Sequence, residues 1–436
     1  MNNSRQFIRL IWVVFFGLTW LSSCQQKNVR PADEATALKN STLAIMREWY
    51  LWNDQLPANV NTADYPDAQA MINAIRFRDD KWSYVDLYDN YIQFFNAGQT
   101  VAHGLSMRWD ASGKLWVALS YQNSPAAQGG LVRGCQITAI NGVSVQQIGA
   151  SGLSNALGPA TEGYRNSFNF IDNNGVNRTA SIIKTTVQIN TVLHSQVISS
   201  GSRKVGYLVF NSFLETSTAE LNTVFNDFNA QGVNELILDL RYNGGGRISV
   251  AQYLASLIAP TRFVGSTFLT YLHNANKTSE NQNLRFISTL APSLSLSRVF
   301  IITTSATASA SESIINCLRP YMRVVQIGAT TAGKPVGSYA FQSGRFVVVP
   351  VSLRVANANG VADYYNGLVA DIPAEDDASK PWGNVADPCL AQALAALGNP
   401  AFALRTTDAQ ANNALAWQRN KEMFPQPGLQ QEAGIF

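Results

Sequence analysis

Among the residue types that enzymes use for catalysis, histidine is scarce in this chain. The 436 residues include only three, at positions 103, 194 and 273, and these are scattered along the chain. No cysteine and histidine pair has the spacing typical of zinc ligands, so neither a histidine-based catalytic triad nor a metal site is supported. The sequence therefore predicts a protein that needs no metal and no cofactor.

An excess of either charge is also missing. The 32 basic residues nearly balance the 29 acidic ones, and the formal net charge is only +3. A chain this close to neutral lacks the basic stripe that nucleic-acid binding requires. Hydrophobic residues make up 46% and charged residues 14% of the chain, which is typical of a globular protein. Its length exceeds what one hydrophobic core usually serves, so two or three domains are expected.

Long apolar runs are rare, and the most apolar one lies near the start. Arg5 and Arg9 precede the apolar run Leu10 to Trp20, which is too short to span a membrane comfortably. A basic start, an apolar run and a small-residue end predict an export signal over residues 1–23. Its end, Leu21-Ser22-Ser23-Cys24, resembles a bacterial lipobox.

The lipobox resemblance implies a lipid on Cys24 that anchors the protein to the bacterial cell envelope, at the outer membrane and facing the periplasm. The alternative is a plain secretory signal in which Cys24 is incidental, and both alternatives export the protein. No other run is apolar enough to span a membrane, so the lipid would be the only anchor.

Cysteine is limited to four residues, and three of them follow Cys24, at positions 135, 317 and 389. An exported compartment permits disulfides, so Cys317 and Cys389 could pair inside one domain. Reduced, buried thiols are the other possibility. The sequence leaves both open.

The first part of the mature chain divides into a tether and a helical region. Residues 24–40 are polar and predict a flexible tether. Leu43, Met46, Trp49 and Tyr50 recur at helical spacing, and residues 68–76 predict a second short helix. Residues 41–96, which end in a cluster of aromatic side chains, are expected to form a small helical cap.

Strands and tight turns replace this pattern over residues 97–190. Leu115 to Leu119 predicts a strand, and Ile137 to Ile140 predicts another that ends in the Asn141-Gly142 hairpin turn. A small β domain is therefore expected between the helical cap and the rest of the chain.

Residues 191–398 alternate between strands and helices, which predicts an α/β core. Glu235 to Arg241 has the composition of a parallel strand that is buried on both faces. The glycines at 244, 245 and 246 follow this strand and precede a helix, so their backbone N–H groups are expected to face a ligand. Residues 399–436 predict one helix and a loose tail.

The chemistry is concentrated between Arg298 and Ser338. A buried strand leads through a turn of small residues into a helix, and Ser309 lies at the start of that helix, where the helix dipole is positive. A second strand leads to Lys334, which is flanked by glycine, proline and apolar residues. Burial lowers the pKa of an ammonium group, and a neutral lysine can take the proton of a serine hydroxyl.

Two other interpretations compete for these residues. A serine-rich turn before a helix often serves only as an N-cap. The run from Gly328 to Lys334 fits the first seven positions of a phosphate-binding P-loop, but Pro335 stands where Ser or Thr must hold magnesium. A nucleotide-binding protein is therefore disfavoured.

A family resemblance favours the catalytic interpretation. The run Thr307-Ala308-Ser309-Ala310-Ser311-Glu312, followed by Gly333-Lys334, resembles the signature of the carboxyl-terminal processing, or tail-specific, proteases. The resemblance implies that Ser309 is the nucleophile, that Lys334 is the base, and that the core has the crotonase/ClpP-like spiral fold. It also implies cleavage near the carboxyl termini of exported or envelope proteins. The family often has a glutamine four residues after the lysine, where Ser338 stands as a candidate to orient Lys334.

The family's Asp-Leu-Arg-x-Asn-Pro-Gly-Gly motif aligns with Asp239 to Gly246, with Gly244 in place of proline. By this resemblance, the backbone N–H groups of Gly245 and Ala310 form the oxyanion hole. One such donor stabilises the transition state by about 2.7 to 4 kcal/mol.

The β domain resembles an inserted PDZ domain. The resemblance rests on Ile140-Asn141-Gly142-Val143 and on a candidate carboxylate-binding loop, Gly104-Leu105-Ser106-Met107. It implies that protein tails bind as an added edge strand. Cys135 stands where the family usually has Asp, and a generic β spacer is the alternative. A rival function from another class follows from the same features: a PDZ-based binder of protein carboxyl termini with little catalytic turnover.

Overall fold

A computed structural model describes residues 31–399. The predicted signal segment, Cys24 and the predicted helix and tail after residue 399 lie outside the described residues. The N-terminal region comprises helices α1 to α3 and one strand: α1 (Pro31–Trp49), α2 (Ala68–Ile75), β1 (Tyr84–Leu87) and α3 (Tyr88–Phe95). Both helices predicted after residue 40 are confirmed. The prediction of a tether up to residue 40 is wrong, because α1 already begins at Pro31.

Strand pairing and side-chain hydrogen bonds join the N-terminal region to the core, so it is not a separate cap. Strand β1 pairs antiparallel with a core strand, with Tyr84 opposite Val349. Ser83 Oγ accepts a hydrogen bond from Val351 N at 2.9 Å, and Asp80 fixes Ser83 by accepting bonds from its amide and its hydroxyl. The N-terminal region is therefore part of the same folded body as the core.

The middle of the chain forms the expected β domain. Its elements are β2 (Gln99–Ala102), β3 (Leu105–Trp109), β4 (Leu115–Ser120), α4 (Pro125–Gln128), β5 (Gln136–Ile140), β6 (Val143–Ser144), α5 (Val145–Leu157), β7 (Arg165–Ile171), β8 (Asn177–Ile183) and β9 (Thr185–Gln188). The main sheet has the order β3-β4-β5-β7-β8, and its pairings are antiparallel. Strand β3 is therefore an edge strand within the described part of the chain.

The rest of the described chain forms the core. Its elements are β10 (Val192–Ser200), β11 (Arg203–Phe210), α6 (Ser217–Ala230), β12 (Glu235–Asp239), α7 (Ile248–Ile258), β13 (Thr267–His273), β14 (Gln282–Arg285), β15 (Arg298–Thr303), α8 (Ala310–Leu318), β16 (Arg323–Gly328), β17 (Val336–Ser338), β18 (Phe341–Ser343), β19 (Phe346–Val349), β20 (Val351–Asn357), β21 (Ile372–Pro373) and α9 (Pro388–Gly398). The fold is therefore mixed α/β, as predicted.

The strands of the largest core sheet are apolar because helices cover both faces of that sheet. Its order is β10-β11-β12-β15-β16-β21, and all pairings from β11 onward are parallel. Alternate side chains of a strand point to opposite faces. Leu236 and Leu238 of β12 pack among helices α6, α7 and α8, whereas Ile237 packs against α9. Because helices cover both faces, the central strands are apolar along their whole length.

Two smaller sheets complete the core. One has the order β14-β13-β20-β17, and the other joins β1, β19 and β18.

None of the helices between residues 31 and 399 combines the length and the apolar character that crossing a bilayer requires.

Cys135, Cys317 and Cys389 are buried free thiols. The possible disulfide between Cys317 and Cys389 is therefore not formed, because each thiol packs in a different cluster, on opposite faces of the sheet.

Candidate active site

The parallel sheet brings two turns together. Strands β12 and β15 are neighbours and run in the same direction, so the turns that follow them meet at one edge of the sheet. We name residues 242–246 the glycine turn and residues 304–309 the serine turn. Ala308 N donates to the carbonyl of Asn243 at 3.0 Å, and Thr307 Oγ1 donates to the carbonyl of Leu240 at 2.8 Å. These bonds hold the two turns against each other.

Ser309 has an unusual backbone conformation at the end of the serine turn. It precedes helix α8 with φ of 57° and ψ of −116°. A positive φ is uncommon for residues other than glycine and costs free energy that the surrounding structure must offset. Residues held in such conformations cluster at functional sites, so the strain at Ser309 supports a functional role.

The carboxylate of Glu312 links the serine turn to the turn that carries Lys334. Glu312 is fully buried, and its Oε2 accepts the backbone N–H of Ser309 and that of Lys334, each at 2.8 Å. Its Oε1 accepts Gly333 N at 2.7 Å and Thr331 Oγ1 at 2.6 Å. One carboxylate oxygen therefore binds the backbone N–H groups of both predicted catalytic residues. Because each backbone nitrogen lies 2.8 Å from that oxygen, the two nitrogens are separated by no more than twice 2.8 Å.

Burial is the main influence on the pKa of Glu312 and raises it above the ordinary value for glutamate. The four hydrogen bonds from Thr331, Lys334, Gly333 and Ser309 stabilise the charged form and oppose this rise. All four donors to this carboxylate are neutral groups, so no cation takes part in these hydrogen bonds.

The turn that carries Lys334 is itself tightly packed. Gly333 has φ of 84°, and a Cβ built there would collide with the carbonyl oxygen of Tyr365. Lys334 is only 7% exposed, and Val336, two residues later, packs in an apolar cluster with Met46 and Tyr50 of the N-terminal region. The predicted burial of Lys334 is thus confirmed. Ser338 is half-buried at the end of β17, opposite Val351.

The glycine turn lies against Ser309 and Ala310. Gly245 has φ of 107°, and a Cβ built there would lie 2.7 Å from Ser309 Cβ and 3.0 Å from Ala310 N. Only glycine fits this position without displacing the serine turn. The structure therefore brings together Ser309, Ala310 and Gly245, as the sequence predicted.

The Gly245 N–H, however, already has an acceptor in this structure. It donates to Oδ1 of the Asn243 side chain at 2.9 Å. The sequence-based expectation of unoccupied glycine N–H groups is therefore wrong for this residue. The reason is local: an Asx turn, in which an asparagine side chain accepts the N–H two residues later, competes with any ligand for the same donor.

A buried charge cluster connects the β domain to the glycine turn. Asp376 pairs with Arg108 of β3 at 3.2 Å, with Arg133 at 3.4 Å and with Arg241 at 2.9 Å, and it accepts the hydroxyl of Tyr242. Burial by itself would raise the pKa of Asp376, but the three guanidinium groups hold it well below its ordinary value. The cluster therefore pins the glycine turn to the β domain.

Sequence reasoning found neither this cluster nor the full role of Glu312. Arg241 also pairs with Asp239 at 2.7 Å and with Asp387 at 2.8 Å, so one buried arginine joins a carboxylate two residues away to Asp376 and Asp387, which lie 135 and 146 positions along the chain. No local sequence pattern encodes such contacts. Among residues 31–399, no group of three or more His, Cys, Asp or Glu side chains is placed to hold a metal ion.

The predicted tail-binding loop lies at the start of the edge strand β3. Gly104 has φ of 84°, and its carbonyl accepts bonds from Tyr121 N at 2.9 Å and from Ser124 Oγ at 3.1 Å. Leu105 and Met107 are buried and share an apolar cluster with Leu153 of helix α5. Strand addition requires a sheet edge, and β3 provides one within the described part of the chain.

Two family models match parts of this chain. Residues 204–371, which contain both turns and Lys334, match peptidase family S41, and residues 39–84 match the peptidase S41 N-terminal domain. The core is therefore similar to peptidase family S41 over residues 204–371, and the chain resembles the carboxyl-terminal processing serine proteases there.

Individual relatives agree with this assignment. A carboxyl-terminal-processing protease of Picosynechococcus sp. is 26% identical over 221 residues, which are 50% of this chain and 50% of the relative. The chain thus spans about half the length of this curated relative. A crystal structure of an S41 protease from Bacteroides fragilis NCTC 9343 is 26% identical with a TM-score of 0.67, covering 82% of this chain and 96% of that one.

A further structure supports the fold alone. The photosystem II D1 C-terminal processing protease is 18% identical with a TM-score of 0.51, covering 84% of this chain and 98% of that chain.

Proposed function

We propose that this protein is a serine endopeptidase of the carboxyl-terminal processing type, with Ser309 as nucleophile and Lys334 as base. One observation carries the proposal: the buried carboxylate oxygen of Glu312 fixes the backbone of both residues, with the glycine turn packed against Ser309. This arrangement matches the general requirement for a nucleophile and a base held together in a desolvated site.

The proposed reaction has two steps. Ser309 Oγ attacks the substrate carbonyl carbon while the Lys334 amine takes the hydroxyl proton, and that proton then passes to the leaving amine as the peptide bond breaks. Water attacks the resulting acyl-serine ester, and Lys334 takes the water proton and returns it to Ser309 Oγ as the ester bond breaks, which releases the new carboxyl terminus. The backbone N–H groups of Ala310 and Gly245 donate to the oxyanion in both steps, and Ser338 is the candidate orienter of Lys334.

The β domain is proposed to act as a PDZ domain that binds the carboxyl termini of substrates. The edge position of β3 and the left-handed backbone of Gly104 support this role, as does the apolar cluster that Leu105 and Met107 share with helix α5. A terminal carboxylate would bind at residues 104–107, and the tail would extend β3's sheet. We further propose that the core has the crotonase/ClpP-like spiral fold implied by the family resemblance.

The proposed location follows from the sequence alone. The segment before Cys24 is proposed to direct export, and a lipid on Cys24 is proposed to hold the enzyme at the outer membrane, facing the periplasm. Labelling of the full chain with a radioactive fatty acid tests this. Label that disappears in Cys24→Ala supports the anchor, and label that persists in that variant contradicts it.

Cleavage of an unfolded protein tests the proposed activity. The chain from residue 25 onward is incubated with β-casein alongside Ser309→Ala, Lys334→Met and the control Ser305→Ala, which changes a partly exposed serine of the same turn. We expect fragments with the parent and the control but not with the other two. Fragments from Ser309→Ala would contradict the proposal.

A second candidate function is a PDZ-based binder with little turnover, and the serine at position 338, where the family often has glutamine, favours it. An intact parent that binds a peptide with a free carboxyl terminus but cleaves neither that peptide nor β-casein would establish this function instead.

A further inference from the structure

The glycine turn holds a buried asparagine, Asn243, that the proposed mechanism does not use. Asn243 is fully buried, and it takes part in five hydrogen bonds at this turn. Its side-chain Nδ2 donates to the carbonyl of Phe210 at 2.8 Å, and its Oδ1 accepts Gly245 N at 2.9 Å. Its backbone N donates to the carbonyl of Leu240 at 3.1 Å.

The backbone carbonyl of Asn243 accepts the other two bonds, both from the serine turn and its helix. The donors are Ala308 N and Ser311 Oγ, each at 3.0 Å. Asn243 therefore connects the two turns. Its backbone carbonyl accepts bonds from residues next to Ser309, and its side chain accepts the N–H of Gly245, the predicted oxyanion donor.

A buried N–H group without an acceptor costs free energy, so the Gly245 N–H needs a partner while no substrate is present. The amide oxygen of Asn243 supplies that partner. An oxyanion is charged and forms a stronger hydrogen bond than a neutral amide oxygen does. A neutral acceptor at position 243 can therefore yield the N–H to the oxyanion, whereas a charged acceptor would retain it.

From these contacts we infer that Asn243 is a positioning residue: it holds the Gly245 N–H in the resting enzyme and releases it to the oxyanion as the transition state forms. This inference rests on the proposed function, because it assigns a role in that same reaction. The neutrality of the Asn243 side chain is the property that matters. Its Nδ2 bond to Phe210 keeps Oδ1 aimed at the donor.

The informative substitution is Asn243→Asp. A carboxylate keeps the shape of the amide but competes for the Gly245 N–H and repels the oxyanion. Asn243→Ser provides a neutral hydroxyl that can accept the same N–H. Asn274 offers a matched control, because its Oδ1 also accepts an N–H two residues later, at 2.9 Å, and its Nδ2 also donates to a carbonyl, at 2.8 Å. It lies elsewhere, directly after β13, and that carbonyl belongs to Tyr50.

The experiment measures kcat and KM for a peptide substrate, thermal unfolding, and affinity for a peptide boronic acid, which forms a tetrahedral adduct with serine. We expect Asn243→Asp to lower kcat by about 10²- to 10³-fold, the loss that accompanies removal of one oxyanion donor. KM should change little, and boronate affinity should fall in parallel with kcat. Asn243→Ser should retain more kcat than Asn243→Asp, and Asn274→Asp should retain the parental kcat.

Two results would overturn the inference while leaving the proposed function intact. One is parental kcat in Asn243→Asp. The other is a loss of kcat that follows the loss of melting temperature equally in the Asp and Ser variants, since this pattern indicates a purely structural role. A parent enzyme that cleaves no substrate overturns the proposed function, and the inference with it.

Discussion

Ser309 and Lys334 donate their backbone N–H groups to the same carboxylate oxygen, Oε2 of Glu312, each at 2.8 Å. The two residues lie 25 positions apart in the chain, on turns that follow different strands. A single buried acceptor therefore sets their relative position. This contact explains why glutamate, whose carboxylate can accept four hydrogen bonds, occupies a fully buried site.

The first prediction concerns Glu312→Gln. A glutamine side chain has one oxygen in place of two, and its NH₂ group would face backbone donors. Each donor left without an acceptor costs about 1 to 3 kcal/mol. We expect a lower melting temperature and a loss of kcat, measured by thermal unfolding and peptide cleavage.

Glu220→Gln is the matched control for this substitution. The Glu220 carboxylate also accepts bonds from backbone donors, Thr191 N at 3.0 Å and Val192 N at 2.9 Å, but at the start of β10. We expect it to lose stability and keep its kcat. Equal kcat losses in the two variants would show that Glu312 acts only through stability.

The second prediction concerns Gly245→Ala. The new Cβ would lie 2.7 Å from Ser309 Cβ, and the left-handed backbone adds a cost of about 1 to 2 kcal/mol for a residue other than glycine. We expect cleavage to fall below detection. Gly265→Ala is the control, because Gly265 has a similar φ of 86° but open space around it. Normal cleavage by Gly245→Ala would contradict the proposed contact between the turns.

The third prediction concerns Asp376 and pH. Its folded-state pKa lies below its unfolded value, so its contribution to stability is complete above about pH 4, the ordinary range for aspartate. That contribution is lost as the pH falls from there toward the folded-state pKa. Asp376→Asn should lower the free energy of unfolding by about 3 to 5 kcal/mol at neutral pH, because it removes a buried carboxylate that three guanidinium groups share.

Chemical denaturation of parent and variant between pH 3 and pH 7 checks this. The parent should lose more stability on acidification than Asp376→Asn does. Asp172→Asn, which removes the charged partner of the exposed Arg178, is the control and should change stability little. Parallel pH profiles for parent and Asp376→Asn would contradict the prediction.

The fourth prediction concerns the three described cysteines. Burial raises the pKa of the Cys317 and Cys389 thiols, so neither should react in the folded protein. Iodoacetamide should modify the chain from residue 25 onward only after unfolding, and a reducing agent should leave the melting temperature unchanged. A melting temperature that falls on reduction would indicate a disulfide.

The sequence was sufficient for the parts of the site that are encoded locally. Ser309 and Lys334 stand in a short signature, and the strand, turn and helix around Ser309 follow from apolar spacing and small residues. The Ser-x-x-Glu pattern at Ser309 also predicts a capping glutamate. It does not predict that the same carboxylate binds Thr331, Gly333 and Lys334, because those donors follow a different strand.

Other features depend on contacts that no local pattern records. Arg241 meets Asp376 across 135 positions of sequence, and only the fold brings them together. The glycine-rich run indicates a flexible backbone, but it does not indicate that the Asn243 side chain accepts the Gly245 N–H. Helix α1 begins earlier than the apolar spacing from Leu43 predicts, although Pro31 at its start and Asp33 and Glu34 in its first turn are all typical of a helix N-terminus.

The most direct test of the Ser309 and Lys334 site is the identity of the acylated residue. The chain from residue 25 onward is mixed with a peptidyl p-nitrophenyl ester, quenched in acid within the first turnover, digested and analysed by mass spectrometry. Our account predicts an acyl group on Ser309 in the parent, with much slower formation in Lys334→Met. Turnover of the ester with the acyl group on another residue, or with Ser309→Ala as active as the parent, would contradict it.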